Sequence, residues 1–190
     1  LAAVAFFSVM DTVLNQLSAH YPALQVGMVG SDGMLGGELL MDLGKAPWRA
    51  VVQGAGLSWR IGARALRREC ALHPSLLRAV QGSVLLHLHR QTLAAACERF
   101  HLLSARLARW LLVCQDAAHS DRFHVTQEGM ARMLGVRRVG VTVAAGEFQH
   151  GGLIRYHRGE VTVLDRTALT ARACSCYAAD HRLRLALPRR

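Results

Sequence analysis

The chain has 190 residues, 52% of them hydrophobic and 19% charged, so enough apolar surface is available to offset the entropy of ordering and intrinsic disorder is excluded. The length allows one domain or two small ones. The apolar run Leu1–Met10 stops at Asp11, short of the ~20 residues a bilayer requires, and no cationic stretch precedes it, so neither a membrane span nor a signal peptide is expected.

The formal net charge is +10, from 23 basic and 13 acidic residues, and Lys45 is the only lysine. Arginine offers a planar fork of donors suited to phosphates and guanine edges, although a GC-rich genome would favour arginine over lysine whatever the function. The placement of the charge is more telling than its total. Leu1–Arg60 carries a net −1 (three bases, four acids), the middle +4, and Ser104 to the end +7 (fourteen arginines, seven acids). A positive excess confined to one half points to a polyanion as that half's partner. The five cysteines, Cys70, Cys97, Cys114, Cys174 and Cys176, are odd in number and scattered. They read as reduced thiols of a cytoplasmic protein rather than a disulfide framework.

Residues 1–62 are rich in glycine and β-branched side chains. Ala5–Met10, Gln25–Val29 and Arg49–Gln53 are expected to be short strands, with turns at Gly30-Ser31-Asp32-Gly33 and Gly54-Ala55-Gly56. Asp11–His20 fits a hairpin continuation or a short helix. From Gly62 the period changes. Pro74 opens a pattern in which Leu77, Val80, Val84 and Leu88 recur at spacings of three and four, with no breaker before His101, which predicts a long helix with one continuous apolar stripe. Such a stripe needs a long groove or a partner helix, and a second copy of the chain is the expected partner; the alternative is packing wholly within its own domain. Leu102–Cys114 is expected as a second helix with Leu103, Leu107, Trp110, Leu111 and Cys114 on one side, ended by the polar stretch Asp116–Arg122.

The most informative segment follows. Thr126 is a competent N-cap, Glu128 suits the first helical turn, Ala131 is small where two helices must cross, Gly135 supplies a left-handed turn, and Val141 lies six residues beyond as an aliphatic lock. These offsets define a helix-turn-helix. Its second helix is expected from Arg137 to Gln149, ending at Gly151-Gly152. Val139, Gly140, Val141, Thr142 and Val143 are weak helix formers, so packing must impose that helix. Arg137 and Arg138 stand at its leading end, where arginine can read guanine. Leu153–Tyr156 and Val161–Leu164, joined through His157-Arg158-Gly159-Glu160, predict a hairpin, the wing of a winged helix. Arg137, Arg138 and Thr142 are the expected base readers, and Thr126, Gln127, His157 and Arg158 the expected phosphate contacts.

The run Ala105-Arg106-Leu107-Ala108-Arg109-Trp110-Leu111-Leu112, with Leu134-Gly135-Val136-Arg137-Arg138, Gly152-Leu153-Ile154-Arg155-Tyr156 and Cys174-Ser175-Cys176-Tyr177, resembles a branch of the Crp/Fnr family of bacterial transcription regulators. The resemblance implies an α+β fold in three parts: a partial cyclic-nucleotide-binding-like β-roll over 1–73, a long dimerisation helix over 74–101, and a winged helix-turn-helix DNA-binding domain over 102–190. It implies a cytoplasmic homodimer on double-stranded DNA; no nucleophile elbow or paired-carboxylate arrangement stands out in the sequence, so no enzymatic activity is expected. The roll is short at its start and the chain begins at Leu1, which reads as a truncated, fragmentary or divergent member. Val139 and Val143 stand where members reading the best-known operator carry an acid and a further arginine, so a different operator is expected.

In the nucleotide-binding members a Gly-Glu pair and a later arginine hold the ligand. Gly37-Glu38-Leu39 followed by Arg49-Ala50 is a faint version of that cassette for an unidentified small-molecule effector; a glycine turn with surface charges is the simpler reading. Gly27–Gly33 lacks the dinucleotide-binding spacing. No thiolates stand near the N-terminus for an iron–sulfur sensor. Cys174 and Cys176 would point to different faces of a helix, so free thiols are preferred to redox sensing. The ten histidines form no metal-site spacing, and no metal or cofactor is assigned. A small-molecule sensor and a protein-interaction module with an incidental basic face remain the alternative functions.

Overall fold

The structure is a computed structural model and describes residues 29, 33–41 and 58–186. The expected strands Ala5–Met10 and Arg49–Gln53, and all of Gln25–Val29 except Val29, lie outside those residues, as do Asp11–His20 and the turn at Gly54–Gly56. A short 3-10 helix spans Gly37–Met41. Ala63–Leu72 (α1) leads through His73 into Pro74–Phe100 (α2), whose Pro74 occupies the first turn as expected. Leu103–Ala118 (α3) follows the break at His101-Leu102 and ends on His119, a left-handed residue with φ +48°.

Arg122–His124 (β1), Gln127–Leu134 (α4), Arg138–His150 (α5), Ile154–His157 (β2), Glu160–Val163 (β3), Arg166–Arg172 (α6) and Cys176–Ala186 (α7) complete the order. The sheet runs β1-β3-β2, antiparallel throughout, with Phe123 opposite Val161 and Tyr156 opposite the same valine. The fold is α+β, mostly helical with one small sheet.

The main core lies between α3 and the helix-turn-helix. Leu107, Ala108, Leu111 and Leu112 of α3 are fully buried with Met130, Ala131 and Leu134 of α4, Val141, Ala144 and Phe148 of α5, and Ile154 and Val161 of the sheet. A central helix apolar on this much of its circumference suits a position inside the domain. The Arg106 guanidinium donates to the Leu134 carbonyl, capping the end of α4 from α3. Arg166 joins α6 to α3 and α7, donating to Asp116 at 2.8 Å and to the Tyr177 hydroxyl at 2.6 Å, while that hydroxyl donates to Asp116 at 2.9 Å.

Two expectations are corrected. The first is the single stripe on α2. Val80 is buried in its own chain with Leu66 and Cys70 of α1, and Leu77 packs against the same cluster. Val84 meets the 3-10 helix, where a Cβ on Gly37 would lie 2.8 Å from its Cγ2. Further along, Arg90 pairs with Asp180 of α7 at 3.0 Å. Leu77, Val80 and Val84 share one side and are covered by their own chain, while Leu86 and Cys97 are buried on the opposite side, so apolar residues face several sides of α2; Leu85 and Leu88, 51% and 54% exposed, stay open in the middle of the helix. The second is Glu38, which is buried rather than a surface charge, because the glycine before it lets the 3-10 helix settle directly on α2.

Candidate nucleic-acid interface

The helix-turn-helix is built by local rules. Thr126 Oγ1 accepts from the Gly129 amide at 3.0 Å and caps α4. Gly135 closes α4 at φ +63°, a left-handed conformation that disfavours any side chain, and the Val136 amide returns to the Ala131 carbonyl at 3.0 Å. Ala131 and Val141 are both buried at the crossing of α4 and α5, as their offsets from Gly135 predict. The weak helix formers of α5 are held by tertiary contact. Gly140 sits near α3, where a Cβ would come within 2.8 Å of the Leu103 Cδ2 methyl and push that side chain aside. At its far end Gln149 Oε1 accepts from the Tyr156 amide at 2.9 Å and ties α5 to the sheet.

This scaffold exposes the face opposite the core. Arg137 precedes α5 in extended conformation and Arg138 is its first residue, both exposed. Thr142 lies one turn beyond Arg138 on the open side. Its hydroxyl stands 2.8 Å from Gln127 Oε1 and 3.1 Å from the Arg138 carbonyl. Thr142 and Gln127, assigned to bases and to phosphates respectively, thus form one linked pair across the turn. With the proton directed to either oxygen, the hydroxyl keeps lone pairs free to accept. Sequence reasoning passed over Val139 and Val143, which are 73% and 58% exposed on the same face. The signal was available: neither sits at the buried spacing set by Val141, Ala144 and Phe148.

The wing forms as expected, with a two-residue turn of positive φ at Arg158 (+47°) and Gly159 (+84°). His157 and Arg158 are exposed at its tip. Strand β1 was not anticipated. Its His124 ring lies over Gly159, where a Cβ would come within 2.7 Å of the imidazole. Glu160 is gripped by Arg122 Nε at 3.1 Å and His124 Nδ1 at 3.0 Å. Those hydrogen bonds, that of Arg122 foremost, hold its carboxyl below the usual range and partly neutralise the one acid in the wing.

The expected effector cassette is described only in part. Gly37 and Glu38 border a cavity of about 30 Å³ with Met34, Ser83, Val84 and His87, space for roughly one water molecule. One Glu38 carboxylate oxygen, Oε1, is buried there without a hydrogen-bond partner. Arg49 and Ala50 lie outside the described residues. No helix among the described residues is long and apolar enough to cross a membrane.

A core helix, a two-helix corner and a three-stranded wing define a winged helix-turn-helix. Residues 105–172 match the Crp-like helix-turn-helix domain. Among solved structures, FixK2 from Bradyrhizobium japonicum is similar with a TM-score of 0.54 at 12% identity, covering 60% of this chain and 60% of that one. Two regulators from Thermus thermophilus are also similar. One, of the CRP family, is 26% identical with a TM-score of 0.48, covering 56% of this chain and 57% of its own. The other, of the CRP/FNR family, is 23% identical with a TM-score of 0.49, covering 53% and 55%. The chain thus spans little more than half the length of the solved structures it matches. No curated protein matches the sequence.

Proposed function

We propose that this chain is a sequence-specific DNA-binding transcription regulator of the Crp/Fnr type. The observation that carries the reading is the uncovered leading face of α5, where Arg137, Arg138, Val139, Thr142 and Val143 stand together on a rigidly packed helix. Inserted into the major groove, Arg138 and Arg137 offer bidentate donors to guanine, Thr142 an acceptor to an adenine or cytosine amino group, and the two valines apolar contact to thymine methyls. The positive end of the α5 dipole points the same way and favours approach to phosphate. Thr126, Gln127, His157 and Arg158 would flank the groove and fix register on the backbone without reading sequence.

The chain binds as a homodimer in this account. Leu85 and Leu88 on the open side of α2 form the apolar part of the seam, and the two α5 helices then enter successive major grooves about one helical turn apart. A bacterial, cytoplasmic setting follows from the same family reading, as does the absence of enzymatic activity.

Titration of the chain against duplex DNA across a salt series tests the reading. If about six phosphates are contacted, affinity falls roughly a thousandfold between ~50 and ~200 mM salt. An absence of binding, or a flat salt response, contradicts DNA binding and favours a protein-interaction module.

A further inference from the structure

Three of the five cysteines converge at one point. Cys97 stands on the last turn of α2 and His101 four residues on, just past the helix end, where the His101 amide donates to the Cys97 carbonyl at 3.1 Å. That spacing brings both side chains to one side. Cys174 lies in the short connection between α6 and α7, and Cys176 opens α7. They were expected to diverge as neighbours on a helix, but Cys174 precedes α7 in irregular conformation and only Cys176 is helical. Their sulfurs are therefore free to converge. Cys97 Sγ lies 3.5 Å from Cys174 Sγ, Cys176 Sγ lies 3.9 Å from His101 Nδ1, and all four ligand atoms fall within 4.8 Å of one another.

We propose that Cys97, His101, Cys174 and Cys176 form a binding site for a single zinc ion. Four soft or borderline ligands, with no fifth donor among the described residues, make a closed tetrahedral set of the kind that holds structural zinc. With zinc–sulfur bonds of about 2.3 Å, the edges of such a tetrahedron approach ~3.8 Å, close to the separations found. A four-iron cube needs its ligands spread more widely than this cluster allows.

Two further observations support a charged occupant. All three thiols are buried, with only Leu93 and Ala105 as partly buried apolar neighbours, whereas Cys70 and Cys114 are dispersed singly in the apolar clusters of the two ends. Arg109 of α3 has its Nε buried without a hydrogen-bond partner, and its positive charge acts on Cys97, Cys174 and Cys176 alike. Three thiolates and one zinc ion sum to −1, which one guanidinium balances. Loading releases the thiol protons. The ion would clip the end of α2 to the α6–α7 connection across the break that leads into α3. None of this depends on DNA binding.

The test is metal analysis of the full chain, produced with zinc in the medium and purified under reducing conditions without chelator. The expected result is one zinc per chain, retained on dialysis. Cys174→Ser or His101→Ala should weaken retention roughly tenfold or more, with Cys70→Ala unchanged. Should the ligand variants fail to fold, cobalt titration of the unaltered chain serves instead, and a thiolate-to-cobalt charge-transfer band with tetrahedral visible bands supports the site. Negligible zinc with all three thiols alkylated equally fast in zinc and in chelator overturns the proposal. So does a Cys97–Cys174 disulfide in the metal-free protein as purified, or a brown centre with acid-labile sulfide.

Discussion

Arg138 and Arg158 carry the same charge in different settings: one starts a helix aimed outward from a packed corner and the other tips a two-residue turn. The account expects them to fail differently. Arg138→Ala should reduce discrimination between the selected site and unrelated duplex by about 1–3 kcal/mol, whereas Arg158→Ala should weaken all duplexes about equally and flatten the salt slope by roughly one. Competition binding with both duplexes distinguishes these; equal losses in both variants would make Arg138 a phosphate contact. Glu160 is a second residue whose surroundings define its behaviour. Hydrogen bonds from Arg122 and His124 lower its carboxyl pKa in the fold. A lowered acid contributes stability that is present above its unfolded value and lost as pH falls through the folded value. Protection factors at β1 and β3, which discount the intrinsic slowing of amide exchange in acid, should therefore fall on acidification through the carboxylate range. Glu160→Gln should remove that contribution, and identical profiles in both proteins would assign the opening to other groups.

Elements differ in how far the sequence declares them. The α4-turn-α5 corner was legible because each signal is local: a threonine cap, a glycine that must be left-handed, and two small or aliphatic residues at fixed offsets. The wing was legible for the same reason, its glycine turn lying between alternating segments. Strand β1 was missed, since three residues after a polar linker say nothing of a pairing to β3 almost forty positions away. Periodicity on α2 showed the helix and its ends but not what covers it, and apolar spacing is identical whether the cover is α1, the 3-10 helix or another subunit. Val139 and Val143 entered the sequence reading only as departures implying a different operator, although their exposure makes them part of the face. The thiol cluster was invisible because its halves are more than seventy residues apart and each half is too short to be a motif. Leu88→Arg tests the open part of α2. It should shift the chain from dimer to monomer in sedimentation, while a dimer that persists unchanged would move the seam elsewhere.

At the scale of the molecule, α2 links two bodies. Its beginning rests on α1 and the 3-10 helix, and its end is joined to the DNA-binding half through Arg90–Asp180 and the cysteine–histidine cluster. The central claim is that paired α5 tips read adjacent major grooves. Hydroxyl-radical footprinting on duplexes selected from a random pool tests it most directly. The account predicts an enriched twofold-related sequence with protected tracts centred about one helical turn, ~10 base pairs, apart, and loss of that pattern in the Arg137→Ala, Arg138→Ala double variant. A pool that yields no enriched sequence, or a footprint indifferent to both arginines, contradicts it.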